Sequence, residues 1–401
     1  MRQVGAGFAG GDFEVQTIRG VGYRLSCAGA DAPPDGANGE PRFGRRAVVA
    51  AAGAAAILGG AAFVQGRRRP VDRQAKELFE RAEIARREEG CALIPEQASS
   101  LYRAALEAAP DFAAPWGGLA LVAAKALDRN EDIERNRRVA LSAARRGAEI
   151  DPRHPYPRIA VALAEPTYMR WGAQRKRLER LEQRIAPGWD LPAAIGFLAM
   201  CCGHLDTAIG AFQRALDHQW NLLGVQFWLA HALLMAGRDE ESLRIADQAL
   251  SQSPKNWCAW EVAFRANLMS GNFAAVNVLI GDVRATPANL HPGGRLSRQM
   301  LARAVIDEDA GSRKATIRYF HETILEWPSF IPFAAAPLAL LREFELLTTA
   351  IRGYLLSEGP MAVPTDWRRH PWFLYQPPLL ELHDHPPVRQ AMLKVGLDLR
   401  R

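Results

Sequence analysis

The densest set of side chains able to hold a metal lies near the C-terminus, where His370, His383 and His385 stand with Asp384. Imidazole and carboxylate are ordinary ligands for divalent cations, but a site needs them fixed on rigid elements. Here they fall in a run broken by Pro360, Pro364, Pro371, Pro377, Pro378, Pro386 and Pro387. Such spacing excludes long helices, and the histidines are expected to face solvent or to cap. His321-Glu322 lacks the second histidine of a His-Glu-x-x-His zinc site. Gly5, Gly7 and Gly10 form a literal G-x-G-x-x-G, yet Gly11-Asp12 occupy the place where a helix would open, so no dinucleotide cradle is expected. The cysteines (Cys27, Cys91, Cys201, Cys202, Cys258) show no C-x-x-C spacing. Cys201, Cys202 and Cys258 fall in helical stretches and read as small apolar fillers, and an odd count offers no disulfide framework. There is no phosphate-binding loop, no G-x-S-x-G and no Cys/His pair in register. The expectation is a protein with no catalytic residue, cofactor or metal, whose business is binding.

Binding needs a scaffold, and the composition points to helix. Hydrophobic residues make up 48% and charged ones 23% of 401 positions, with Ala and Leu dominant. The net charge of +6 is uneven: residues 1–70 hold nine Arg against five acids, which leaves 41 basic and 39 acidic side chains for the rest. The helical body therefore has no bulk attraction for polyanions, and any nucleic-acid role belongs to the N-terminus.

From about residue 75 the chain repeats itself. Gly203, Gly237 and Gly271 are spaced 34 and 34 apart. Small residues recur beside them, Gly196 and Ala230 on first helices, Ala208 and Ser242 on second helices. Phe212, Ala246 and Ile280 occupy one plugging position, and Ala215, Ala249 and Val283 follow three residues later. Antiparallel helices approach closely only where side chains are small, glycine permits the reversal, and proline, as at Pro254, stops the second helix. Ala98, Tyr102 and Ala105 with Trp116, Leu119 and Ala120 fit the same template more loosely, as do Ala140, Ala144 and Ala148, and later Gly311, Thr316, Phe320 and Pro328. Residues 166–190, with Gln174-Arg175-Lys176-Arg177-Leu178-Glu179-Arg180, form an irregular helical unit. This pattern resembles the tetratricopeptide repeat (TPR) family over residues 75–345: three strong hairpins and about four degenerate ones. The resemblance implies an all-α solenoid whose first helices line a concave groove. In this chain those positions are Phe197 and Met200, then Phe227, His231 and Leu234, then Glu261, Arg265 and Leu268. A protein or peptide segment is the expected occupant.

The N-terminal run Thr17-Ile18-Arg19-Gly20-Val21-Gly22-Tyr23-Arg24-Leu25 alternates as two short strands about a glycine turn. It resembles the wing hairpin that closes winged-helix DNA-binding domains of the OmpR/PhoB type, which implies DNA contact by Arg19 and Arg24. The helix-turn-helix of that family would lie upstream of Met1, so specific DNA binding is expected only if a fuller N-terminal domain exists; the start lies too late or the domain is truncated. Residues 1–25 thus read as a β-hairpin remnant and 26–46 as a flexible linker. Ala47–Val64 supplies 18 uncharged residues between Arg45-Arg46 and Arg67-Arg68-Arg69. They read as one transmembrane helix, with a twin-arginine export signal and a buried helix as alternatives. Ala55/Gly59 and Ala56/Gly60 would give that helix a face for homodimerisation. Residues 346–401 read as a Pro/aromatic-rich cap with a short terminal helix. The whole layout resembles ToxR/CadC-like membrane-anchored transcription regulators, which implies an inner-membrane, single-pass protein with a cytoplasmic N-terminus and a periplasmic TPR sensor. The rival reading is a membrane-tethered TPR scaffold for protein-protein interaction.

Overall fold

A computed structural model describes residues 13–18 and 22–27 and, in the body, residues 71–88, 96–130, 132–281, 287 and 292–399. Contacts divide the chain into two units, residues 1–69 and 70–401. In the first, β1 (Phe13–Ile18) and β2 (Gly22–Cys27) pair antiparallel, with Phe13 opposite Cys27 and Ile18 opposite Gly22. A two-stranded ribbon occurs in many folds and by itself carries no winged-helix assignment.

Every other described element is helical. In chain order these are α1 (Arg73–Glu88), α2 (Glu96–Ala108), α3 (Ala113–Ala126), α4 (Ile133–Ile150), α5 (Pro155–Leu163), α6 (Trp171–Glu182), α7 (Asp190–Cys201), α8 (Leu205–His218), α9 (Leu223–Met235), α10 (Asp239–Gln252), α11 (Trp257–Met269), α12 (Phe273–Gly281), α13 (Pro292–Ile306), α14 (Ala310–Glu326), α15 (Ile331–Leu340), α16 (Phe344–Leu356) and α17 (Pro386–Lys394). Successive helices pack as hairpins, and the first helices α7, α9 and α11 also touch one another, as stacking requires.

The turns of the three regular hairpins are alike. Gly203, Gly237 and Gly271 have φ of 74°, 73° and 72°. Each donates its N–H three residues back, to Met200, Leu234 and Leu268, and the next residue donates five back, to Ala199, Leu233 and Asn267. This is the Schellman termination, and the left-handed residue at its centre favours glycine. Close approach is equally specific. A Cβ on Gly196 of α7 would lie 2.7 Å from the Phe212 ring of α8, and one on Gly118 of α3 would lie 2.4 Å from the Tyr102 ring of α2. Ser242 closes the α9–α10 pair by donating to the Ala230 carbonyl at 2.8 Å. Val283 lies outside the described residues.

Four expectations are corrected. No helix among the described residues is long and apolar enough to cross a membrane, so the single-pass inner-membrane placement, cytoplasmic N-terminus and periplasmic array do not stand. Residues 47–64, with the small-residue dimer face, lie outside the described residues. The helical body does not stop at 345: α16 crosses that boundary and packs on α15 and α17. Gly311 is no turn, because Asp309 caps α14 by accepting from Ser312 N at 2.6 Å and Gly311 lies within the first turn. Cys258 is disulfide-bonded rather than a bare apolar filler, while Cys201 and Cys202 are free and buried.

Two alanine substitutions should part in sign. Gly196→Ala forces the Phe212 ring to move and is expected to cost about 1–3 kcal/mol. Gly210→Ala, where a Cβ meets nothing within 4 Å, should add up to about 1 kcal/mol through helix propensity. Urea unfolding followed by circular dichroism measures both.

Candidate functional site

The concave positions of the three regular hairpins come from helices with almost no polar side. In α9 only Gln226 and His231 interrupt the apolar run, and no residue of the helix is exposed. A helix apolar all round must be covered all round. Met200, Phe227, His231, Leu234, Glu261, Arg265 and Leu268 are all buried, and Phe197 is half-buried. The groove expected from the repeat pattern is therefore filled, and the chain fills it with itself.

A short 3₁₀ segment, Pro371–Tyr375, lies against α7 and α15. Its Trp372 ring sits 5.1 Å from Trp228, 6.0 Å from His231 and 6.0 Å from Phe333, edge-on to each. One hairpin earlier in the wall, Phe197 of α7 stacks obliquely between Trp228 at 4.9 Å and His370 at 5.0 Å. Edge-to-face geometry is the favoured meeting of aromatic quadrupoles.

Two arginines anchor this segment. Arg368 donates from Nη1 to Asp128 at 2.7 Å and from Nη2 to the carbonyls of Leu163 and Glu165. Its backbone N–H and C=O are both held by the Asn130 side chain. Arg369, fully buried, donates to the Leu355 carbonyl at 2.6 Å, reaches Ser357 and Pro364, and lies 4.0 Å from the Tyr168 ring centroid. Trp171 Nε1 donates to the Arg369 carbonyl at 2.8 Å, and the His370 N–H donates to Tyr354 at 2.8 Å.

The sequence-derived site residues separate into three groups. Phe197 and His231 face the 3₁₀ segment. Phe227, Met200 and Leu268 are core: Phe227 packs among Ala246, Ala249, Ala259 and Ala263, and Leu268 among Phe264, Val276 and Leu301. Glu261 and Arg265 form a buried ion cluster with Arg298. Arg265 Nε reaches Glu261 at 2.7 Å and Arg298 Nη2 reaches the same oxygen at 2.9 Å, while Arg265 also donates to the Phe333 carbonyl. The crevice left there is about 20 Å³, room for about one water. Leu234 is buried on α9. Sequence reasoning missed Trp228, Arg298, Phe333, Arg368, Arg369 and Trp372; the nearly all-round apolar character of α7, α9 and α15 was the signal that something covers them.

Of the histidines expected to face solvent or to cap, His385 is exposed at the start of α17, while two are corrected. His370 and His383 are enclosed, and His383 Nε2 lies 2.9 Å from the Leu374 carbonyl. The proline-rich run is not loose: Pro377–Asp384 forms a second 3₁₀ segment. Among the described residues no group of His, Cys, Asp and Glu could hold a metal ion. Of the two wing positions, Arg19 lies outside the described residues, and Arg24 is described only as a backbone partner of Gln16.

No family model matches this sequence, and no curated protein does either. Solved structures with a similar arrangement include a TPR protein with an unusual peptide-binding site, YrrB (17% identity, 46% of this chain and 94% of that one, TM-score 0.31). A TPR protein from Parabacteroides merdae matches at 15% identity over 63% and 92%, TM-score 0.37. The human IFIT1 dimer with m7Gppp-AAAA matches at 13% over 78% and 70%, TM-score 0.44. What decides the assignment is in the chain: three left-handed glycine turns in a 34-residue register, each closing a hairpin that stacks on the next. The body is a TPR-like solenoid. Within it, the inner face is the candidate site.

Burial and charge set the protonation of that face. Burial pushes His231 down to about 4, with Arg265 acting in the same direction; its Nδ1 lies 2.9 Å from the Phe227 carbonyl, and Nε2 has no partner among the described residues. Burial alone would raise Glu261, but Arg298 and Arg265 bring it down to about 2. Both groups bind protons more weakly folded than unfolded, so both make the fold acid-sensitive. The His231 contribution is complete above its free value of 6.5 and is lost as pH falls towards about 4. That of Glu261 is complete above 4.5 and is lost towards about 2. Thermal unfolding is expected to show a stability loss of roughly 3 kcal/mol from His231 across its window. His231→Phe should flatten that part of the curve and leave the steeper fall below about pH 4.5 in place.

Proposed function

We propose that this chain is a TPR-like scaffold that binds protein or peptide segments on the inner face of its hairpins, with its own residues 368–375 as the resident occupant. The seat of Trp372 carries the reading. An irregular segment with an aromatic anchor lies across first helices of stacked hairpins, held by side chains of those helices and by arginine bonds at its N-terminal end. A partner segment would use the same features: one aromatic residue for the slot between Trp228, His231 and Phe333, and a flexible backbone beside it. No described residue here is arranged as nucleophile and base; Glu261, Arg265, Arg298, Arg368 and Arg369 are engaged in fold-holding bonds, while His231 Nε2 is not. A DNA-reading role draws nothing from the described residues.

Because the occupant is tethered, its effective concentration is of millimolar order, and a free segment competes poorly with it. Trp372→Ala removes the anchor and so weakens the resident segment against a free competitor. The variant is expected to retain its helical dichroism, to lose about 3–5 kcal/mol of burial, and to bind a fluorescein-labelled peptide of residues 366–378. The unaltered chain should bind that peptide at least about tenfold more weakly. A helical Trp372→Ala chain that leaves the peptide free in anisotropy measurements would remove the inner face as a binding surface.

A further inference from the structure

A second concavity shares no residue with the inner face. Helices α4, α5 and α6 leave an open groove of about 720 Å³ between them. Its floor is apolar, with Leu141, Val161 and Leu181; Leu141 is 40% and Val161 39% exposed. Its rim is Arg145, Arg158, Arg177, Arg180 and Arg184. Arg177 pairs with Glu165. The other four are exposed and have no ion-pair partner among the described residues. The lining holds no acidic and no aromatic side chain.

The placement follows from helical spacing. Leu141 and Arg145 lie four apart on α4, and Arg158 and Val161 three apart on α5. Arg177, Arg180, Leu181 and Arg184 follow at intervals of three, four and seven on α6 and just past its end. Each helix therefore turns a stripe of mixed arginine and aliphatic character to the same hollow. Like charges at such intervals repel, by a few tenths of a kcal/mol per pair. In a body whose basic and acidic residues nearly balance, a rim with five guanidinium groups and one pairing carboxylate, that of Glu165, is a local excess.

We infer that this groove docks an acidic amphipathic helix of a partner protein. The aliphatic floor takes the partner's apolar stripe at i, i+3, i+4 and i+7. The guanidinium forks receive carboxylates on either side of that stripe, as paired hydrogen bonds with planar geometry. A free phosphate ion would satisfy the rim and leave the floor bare. A nucleic-acid strand would find phosphate contacts but no aromatic platform for its bases. Only a ligand that is apolar along its middle and anionic along its edges matches both. The inference deepens the scaffold reading by giving the chemistry of one partner, at a surface independent of Trp372.

The test uses the full chain and a labelled peptide of about 18 residues, five helical turns, with leucine on one stripe and glutamate flanking it. Anisotropy is expected to show binding that falls about tenfold in Arg180→Glu with Arg184→Glu, and about tenfold in Leu141→Ser. Trp372→Ala should leave it unchanged, so failure at this groove and failure at the inner face are read separately. Leu141, Arg180 and Arg184 are exposed, and helical dichroism verifies that each variant is folded. Equal binding by the charge-reversed chain, equal binding of a peptide with lysine in place of glutamate, or absence of binding overturns the inference. Tighter binding of a single-stranded oligonucleotide of similar length also overturns it and assigns the groove to nucleic acid.

Discussion

A helix such as α9 has no polar side to turn to water, and the arrangement around it follows from that constraint. One flank packs on α8 and α10, another on α11. What remains faces inward, where an ordinary open solenoid would present it to solvent. The same is nearly true of α7 and α15, whose residues are mostly buried. Leaving these three helices uncovered would expose several large side chains, each worth about 1.5–3 kcal/mol on burial. The 3₁₀ segment around Trp372 supplies the missing cover, and the arginines before it hold that cover in one position.

The regular hairpins were legible because their signal is local. Gly203, Gly237 and Gly271 need positive φ, Gly196 needs a missing Cβ, and Ser242 needs a carbonyl one helix away; each demand leaves its mark at a fixed spacing. The inner face was legible as a list and not as a state. Positions Phe197 and His231 do look inward, but spacing on one helix does not say what lies opposite. The cover comes from residues well over a hundred positions downstream, joined through Arg368 and Arg369, whose bonds go mainly to backbone carbonyls. Carbonyls are present at every residue, so such bonds leave no pattern to read. The proline-rich run misled for a related reason: closely spaced prolines exclude a long α-helix yet fit the opening of 3₁₀ turns, and Pro371–Tyr375 and Pro377–Asp384 use them so.

Charge is handled in the same way throughout the interior. Arg86 of α1 meets Asp190 of α7 at 2.6 Å, Glu83 at 2.8 Å and the Trp189 ring at 4.7 Å. Lys125 joins Asp190 from α3. Glu261 is enclosed by two guanidinium groups. Buried charges are tolerated only as complete sets, since removal of one member strands the others at a cost of about 3–5 kcal/mol. Their locations matter as much as their strength: Arg86 with Asp190 and Arg368 with Asp128 tie elements that are far apart in the chain.

Stacked repeats ordinarily form by propagation, each unit needing only its neighbour, and can take shape in order as synthesis proceeds. The bond between Asn130 and Arg368 breaks that order. Asn130 sits with φ of 59° in a tight turn early in the body, waiting for a residue 238 positions later. Hairpins can assemble while this clasp is still unmade, but the aromatic wall of α7 and α9 has no cover until residues 368–375 join it. The two ends of the clasp therefore couple the first hairpins to a cover 238 positions away, and the solenoid gains a long-range dependence that nearest-neighbour stacking lacks.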